Sequence, residues 1–263
     1  KMPAYLYGLP DRQEVYDMIA RADTIGVFQI ESRAQMNSLP RTRPQTVYEL
    51  AIQVALIRPG PLQGDTVHPY IRRKRGEEPI DCLHPSLAPI LRRTLGVPLF
   101  QEQGMRLAVE AADFTLDEAE SLRRAIGNAH HRRKLAGLLD KLRVGMKRKG
   151  IVPQTIERIV RQIEAFSTYG FPESHSTSFA LLVYASSWLK CLYPAEFLCA
   201  MLNAQPMGFY SAATLIKDAQ RHGVDVRGPR LQLSEWDTTM EGDGVRIGLR
   251  WVSGLGAAAH AAL

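Results

Sequence analysis

Residues 169–190 read YGFPESHSTSFALLVYASSWLK, and how they are read decides the fold. Ser174 to Ser178 are all hydroxylic or imidazole, and a nearly unbroken apolar run follows. Phe171-Pro172 enforces an extended approach, because the residue before a proline is pushed out of helical angles. The pattern predicts a buried helix from about Ser176 to Cys191, with Ser174, Ser176 or Thr177 capping its first turn. Ser174 and His175 are a poor nucleophile and base, since adjacent side chains diverge and no oxyanion-hole motif accompanies them. A hydroxyl-rich helix start beside an imidazole is better suited to holding phosphate. The apolar run is too short to cross a bilayer, which takes about 20 residues.

Working outward, most of the chain reads as helices with explicit start and stop signals. Helices are predicted over 11–22, 45–57, the LHPSLAPILRRT segment, about 130–149, about 153–166, a run from Pro194 to about Asn203, and a Ser211-capped helix ending at Gly223. Thr115 and Glu118 form a capping box for a helix ending near Gly127. The segment DTVHPYIRRKRGEEPIDCLHP reads as a polar, proline-bounded connector. Near the C-terminus, EWDTTME and VRIGLR alternate around Gly242-Asp243-Gly244, the pattern of a short hairpin. The fold class is therefore mainly α with a small β element.

Charge is unevenly spread. The net charge is +6 over 263 residues, but residues 122–150 alone carry ten Lys/Arg against Asp140. Immediately upstream, residues 110–120 hold five acids and no base. A local excess of this kind builds a directed positive field suited to a polyanion, or else forms a solvated helix face. Within it, Arg123 and Arg124 are candidates for clamping a triphosphate bidentately. Arg132, Arg133, Lys134, Lys147, Arg148 and Lys149 are candidates for nucleic-acid phosphates, with His130 and His131 at the rim. Arg58, ahead of Pro59-Gly60-Pro61, is a further candidate for nucleotide contact. In VSGLGAA, Gly254 and Gly256 match the hairpin of a helix-hairpin-helix, whose backbone amides approach DNA phosphates.

Absent motifs narrow the chemistry. There is no Walker-type phosphate loop, HExxH, GxSxG, full GxGxxG or DxD. Metal catalysis is therefore not expected from this chain alone, and no residue is assigned as a metal ligand or catalytic group. The three cysteines, Cys82, Cys191 and Cys199, suit packed free thiols in a reducing compartment. No signal peptide opens the sequence, and a cytoplasmic location is expected.

Several motifs together point to a family. GVFQIESRAQM (26–36), LIRPGPLQGD (56–65), PLFQEQGM (98–105), LRRAIG (122–127) and the 169–197 segment resemble, in order, the fingers of bacterial C-family DNA polymerases, the family of the DNA polymerase III alpha subunit. The wording FPESHSTSFALLVYASSWLK is similar to the error-prone, damage-inducible branch. The resemblance implies a helical fingers domain over 1–235. It assigns 236–263 to the β-hairpin and the first part of a helix-hairpin-helix. It further implies that Arg123 and Arg124 contact the incoming deoxynucleoside triphosphate and that Ser174, His175 and Ser176 line the same pocket. Two Mg2+ ions would be held by palm aspartates that this chain lacks, so the fragment alone would be inactive. DNA template-primer would be the partner, in damage-induced mutagenesis and translesion synthesis. A sliding clamp and accessory mutagenesis proteins would bind through segments outside this chain. A non-catalytic helical nucleic-acid-binding module is the alternative.

Overall fold

The computed structural model describes residues 8–57, 64–125, 132–167, 171–208 and 210–256, the side chains of 64–68, 132 and 165–167 excepted. In chain order the helices are α1 (Gln13–Ala20), α2 (Arg33–Thr42), α3 (Val47–Leu56), α4 (Gly64–Lys74), α5 (Ala88–Leu91), α6 (Gln101–Ala112), α7 (Leu116–Ala125), α8 (Arg132–Arg148), α9 (Pro153–Ser167), α10 (Glu173–Leu192), α11 (Pro194–Asn203) and α12 (Ala212–Arg221). The strands are β1 (Val226–Arg227), β2 (Thr239–Glu241) and β3 (Gly244–Arg246). The chain is mainly α, as its punctuation predicts. It divides into two compact units, residues 44–180 and residues 1–43 with 181–263.

The 44–180 unit is built on α6, α7, α8 and α9. Leu107, Ala108, Ala111 and Ala112 of α6 meet Leu122 of α7, Leu139, Leu142 and Met146 of α8, and Ile156, Ile159, Val160 and Ile163 of α9. These positions recur every three or four residues, so each helix presents one apolar stripe. Gly145 lets α8 pass close to α6: a Cβ there would lie 2.3 Å from the Ala112 carbonyl oxygen. A second cluster joins Ile52 and Leu56 of α3 to Tyr70, Leu99 and Phe100.

Helices α2, α4 and α6 depart from the sequence expectation. Helix α4 replaces most of the predicted connector. Pro69 lies inside it and Pro40 lies inside α2. A helical proline forfeits one backbone hydrogen bond, and here burial outweighs the loss: Tyr70 and Ile71 are buried in α4, as Gln35, Ser38 and Leu39 are in α2. The basic knot after Pro69 is partly neutralised, because Arg72 and Arg73 both pair with Glu78. Helix α6 is hidden in the sequence by its polar opening and Gly104.

In the other unit, Leu198 and Leu202 of α11 pack with Leu215 and Ala219 of α12 and with Val245 and Ile247. Residues 236–256, read from the sequence as the start of a C-terminal DNA-binding piece, thus pack on α11. Asn203 fixes them, accepting from Thr238 N (2.8 Å) and donating to Thr238 O (2.7 Å). The expected hairpin is β2–β3, antiparallel with Met240 opposite Val245. Strand β1 joins β3 in parallel, giving the order β1-β3-β2. Gly254 takes a left-handed φ of 83° and Gly256 is exposed. Residues 257–263, which the helix-hairpin-helix reading requires, lie outside the described residues.

This unit also buries a charge. The Lys190 ammonium, 3% exposed, donates to Asp218 (2.7 Å) and Ile25 O (3.0 Å) and lies 3.2 Å from Asp23. His222 completes the cluster, 2.5 Å from Asp23 and 2.7 Å from Asp218 O. Among the described residues, Asp23, Asp218 and His222 have metal-ligand spacing. The lysine already supplies a cation to both carboxylates. Burial lowers the His222 pKa, but the hydrogen bond and charge of Asp23, with Asp218, outweigh it and hold the ring above its ordinary 6.5. A folded-state value above the unfolded one contributes stability below the unfolded value and loses it as pH rises through the folded value. Urea midpoints of the 263-residue chain are thus expected to fall as pH rises from about 6.5, histidine's unperturbed value. His222→Asn flattens that dependence; equal pH profiles for the two proteins would contradict the coupling.

Candidate nucleotide-binding surface

Helices α6 and α10 begin side by side. Phe100 and Phe171, just ahead of them, form a parallel bridge, and Gln101 N donates to Phe171 O at 3.0 Å. The Glu102 carboxylate then accepts from Glu173 N at 2.9 Å. A free N–H at the first turn of α10 is therefore satisfied from α6. The two helix starts place their positive dipole ends at one location.

Gln103 holds the α6 start in place. Its amide oxygen accepts from Leu99 N (2.8 Å) and Phe100 N (3.1 Å). Its amide nitrogen donates to Ile90 O (3.1 Å) and Thr94 Oγ1 (2.8 Å). Two acceptor and two donor sites are an amide's full capacity, and all are used in a residue only 5% exposed. On the opposite side, Tyr48 donates to Glu173 at 2.8 Å, and Arg93 stacks on the Tyr48 ring at 4.2 Å while facing Glu173. Burial, followed by the Glu173 hydrogen bond and charge, pushes the Tyr48 pKa up.

This arrangement corrects the sequence reading of 174–178. Helix α10 starts at Glu173, three residues earlier than expected, so Ser174, Ser176 and Thr177 lie within the helix and do not cap it. The cap comes from Glu102, 71 positions away in sequence. Ser176 is fully buried and donates to Ala51 O at 2.5 Å, so it ties α10 to α3 and does not line an open surface. Thr177 and Ser178 turn back on Glu173 O and Ser174 O, both at 2.9 Å. Ser174 and His175 remain exposed, and the imidazole packs between Phe171 (5.1 Å) and Phe179 (4.1 Å, between ring centres).

Helix α7 supplies the two candidate arginines. Its capping box forms as predicted, with Glu118 N donating to Thr115 Oγ1 and Thr115 N to Glu118 Oε2. At the far end, Arg123 Nη1 reaches Gln101 Oε1 at 3.3 Å, which places α7's last turn beside the α6 and α10 starts. Arg123 also grips Glu120 with Nε and Nη2, both at 2.7 Å, and Arg124 Nε reaches the same carboxylate at 2.8 Å. The Arg123 hydrogen bond, then that of Arg124, lowers the Glu120 pKa to about 2. The same hydrogen bond raises the Arg123 pKa.

The α8 charges fall into two sets. Lys141 pairs with Glu118, Arg143 with Asp140 and Glu157, and Lys149 with Asp113. Lys149 also donates to Glu110 O, so it fastens the end of α8 to α6 and is not a free surface charge. Arg133, Lys134, Lys147 and Arg148 are exposed, with no ion pair among the described residues. Arg58 and the side chain of Arg132 lie outside the described residues. Sequence reasoning missed Arg93, Gln101, Glu102, Gln103 and Glu120. The motif PLFQEQGM and the acidic run 110–120 marked four of the five, without saying what they touch.

Comparisons with known proteins show the family. Residues 8–150 match the family model described as the bacterial DNA polymerase III alpha subunit finger domain. The chain belongs to this family. This fingers domain is 57% identical to an error-prone DNA polymerase of Alkalilimnicola ehrlichii over 92% of its own length and 24% of the relative's. It is 55% identical to one of Methylococcus capsulatus, over 88% of this chain and 22% of that protein. It is 52% identical to error-prone DNA polymerase 1 of Agrobacterium fabrum, over 94% and 24%. The resemblance to the error-prone branch is thereby borne out, and the chain spans roughly a quarter of the length of these relatives. Among the described residues, no helix is long and apolar enough to cross a membrane.

The donor set near the arginines does not fit a pair of Mg2+ ions. Glu102 is taken by Glu173 N, Glu120 by the arginines, and Glu173 by Tyr48 and Arg93. Gln103 gives the organisation of this surface a direct test. Gln103→Ala leaves four partners without their bonds, and unfolding of the 263-residue chain is expected to cost at least about 2 kcal/mol less, by urea titration. A loss below about 0.5 kcal/mol, the size of an ordinary surface substitution, would contradict it.

Proposed function

We propose that this domain binds the incoming deoxynucleoside triphosphate, and the DNA to which it is added, within an error-prone DNA polymerase. The observation that carries the proposal is the Arg123–Gln101 contact. It joins the end of α7, which carries both arginines, to the start of α6, and the Phe100–Phe171 bridge sets that start beside the start of α10, which carries Ser174 and His175. Phosphoryl transfer depends mainly on positioning and on neutralising charge. Arginine forks match pairs of phosphate oxygens, and helix N-termini favour anions without adding a titratable group. The assigned roles are triphosphate contact for Arg123 and Arg124 and an adjoining wall from Ser174 and His175.

Arg133, Lys134, Lys147 and Arg148 are assigned to the DNA backbone, together with the Gly254 and Gly256 amides. Contacts of this kind carry no sequence information and weaken with salt, which suits synthesis on damaged or mismatched templates. The two Mg2+ ions are assigned to residues outside this sequence, and the isolated chain is expected to bind without turnover. A sliding clamp and accessory mutagenesis proteins are assigned to other parts of the polymerase.

In the full-length polymerase, Arg123→Ala and Arg124→Ala are each expected to lower kcat/KM for the nucleotide by about 10- to 100-fold, the loss of one or two charge-assisted hydrogen bonds. Steady-state primer extension measures this. Unchanged kcat and KM in both variants would rule out the assignment.

A further inference from the structure

Glu120 holds both of the candidate phosphate-binding arginines. Its two oxygens receive Nε and Nη2 of Arg123 at 2.7 Å and Nε of Arg124 at 2.8 Å. The parallel fork on Arg123 is the geometry with which arginine meets either a carboxylate or two phosphate oxygens. We infer that Glu120 is an intramolecular competitor for the nucleotide's phosphates, holding both arginines until a triphosphate displaces it and thereby setting the nucleotide affinity of the site. The inference rests on the reading of Arg123 and Arg124 as triphosphate ligands.

Helix α7 does not need Glu120 for its own structure. Its N-terminus is already capped by Thr115 and Glu118, and Glu118 also ties α7 to α8 through Lys141. Glu120 points the other way. Its side chain is 33% exposed, and its carboxylate contacts the two arginines. Arg124 is 70% exposed, so it reaches back along its own helix to Glu120 when solvent is freely available to it. Exposed pairs at this spacing are weak individually. A tightly held polyanion can therefore displace the carboxylate, whereas an anion of lower charge has less to offer in exchange. Displacement leaves Glu120 beside new negative charge. The carboxylate thus opposes the bound state as well as competing for the free one.

The test is primer extension by the full-length polymerase, with inorganic tripolyphosphate and inorganic phosphate as competing probes. Glu120→Gln removes the charge with little change of shape. It is expected to lower the nucleotide KM about three- to fivefold, with the change falling on KM and not on kcat, the size that two weak surface pairs allow. Inhibition by tripolyphosphate should tighten by a similar factor, and inhibition by phosphate should tighten as well. Glu120→Ala should behave like Gln, and Glu120→Asp, which keeps the charge, should stay closer to the parent. The gain should shrink when Arg124 is also replaced by Ala and vanish when Arg123 is replaced as well. A KM that is unchanged or raised in Glu120→Gln, while Arg123→Ala and Arg124→Ala still raise it, overturns the competitor role and leaves the nucleotide site standing. Arginine variants without effect overturn both.

Discussion

The carboxylate of Glu102 accepts the first backbone N–H of α10, and around that bond the starts of two helices are locked together. The Phe100–Phe171 bridge fixes their alignment, and Gln103 fixes the chain entering α6. Buried polar groups are costly unless satisfied, and here every site on the Gln103 amide is used. The consequence is positional. With the α6 start held by these bonds, Gln101 accepts from Arg123, and the end of α7 is placed beside the start of α6.

Much of this fold is legible in the sequence where the signal is local. The Thr115–Glu118 box, the Gly150 stop after α8, Pro194 opening α11 and the Gly242-Asp243 turn each act within a few residues, and each forms as read. The start of α10 was not legible, because its cap lies in another helix. A hydroxyl-rich run next to proline satisfies the local rules for a cap equally well, but Ser176 instead turns inward to α3. Helices α2 and α4 were obscured by internal prolines, whose cost is met by burial that only the folded chain displays.

The candidate site divides in the same way. Arg123 and Arg124 could be named from a basic pair at a helix end. That one carboxylate neutralises both could not, since Glu120 looked like one acid among five in the run before them. The charge excess over 122–150 overstated the free surface. Lys141, Arg143 and Lys149 spend their charge on intramolecular pairs, and among the described residues Arg133, Lys134, Lys147 and Arg148 are exposed without an ion pair. A run of like charge thus reports potential partners and internal ties together, and only the geometry separates them.

The most direct measurement of the central claim is a structure of the full-length polymerase with primer-template DNA and an incoming nucleotide. The triphosphate oxygens are expected about 3 Å from the guanidinium groups of Arg123 and Arg124, beside Ser174 and His175, while the α6–α10 bridge is unchanged. A triphosphate bound elsewhere, with both arginines still on Glu120, would contradict the account.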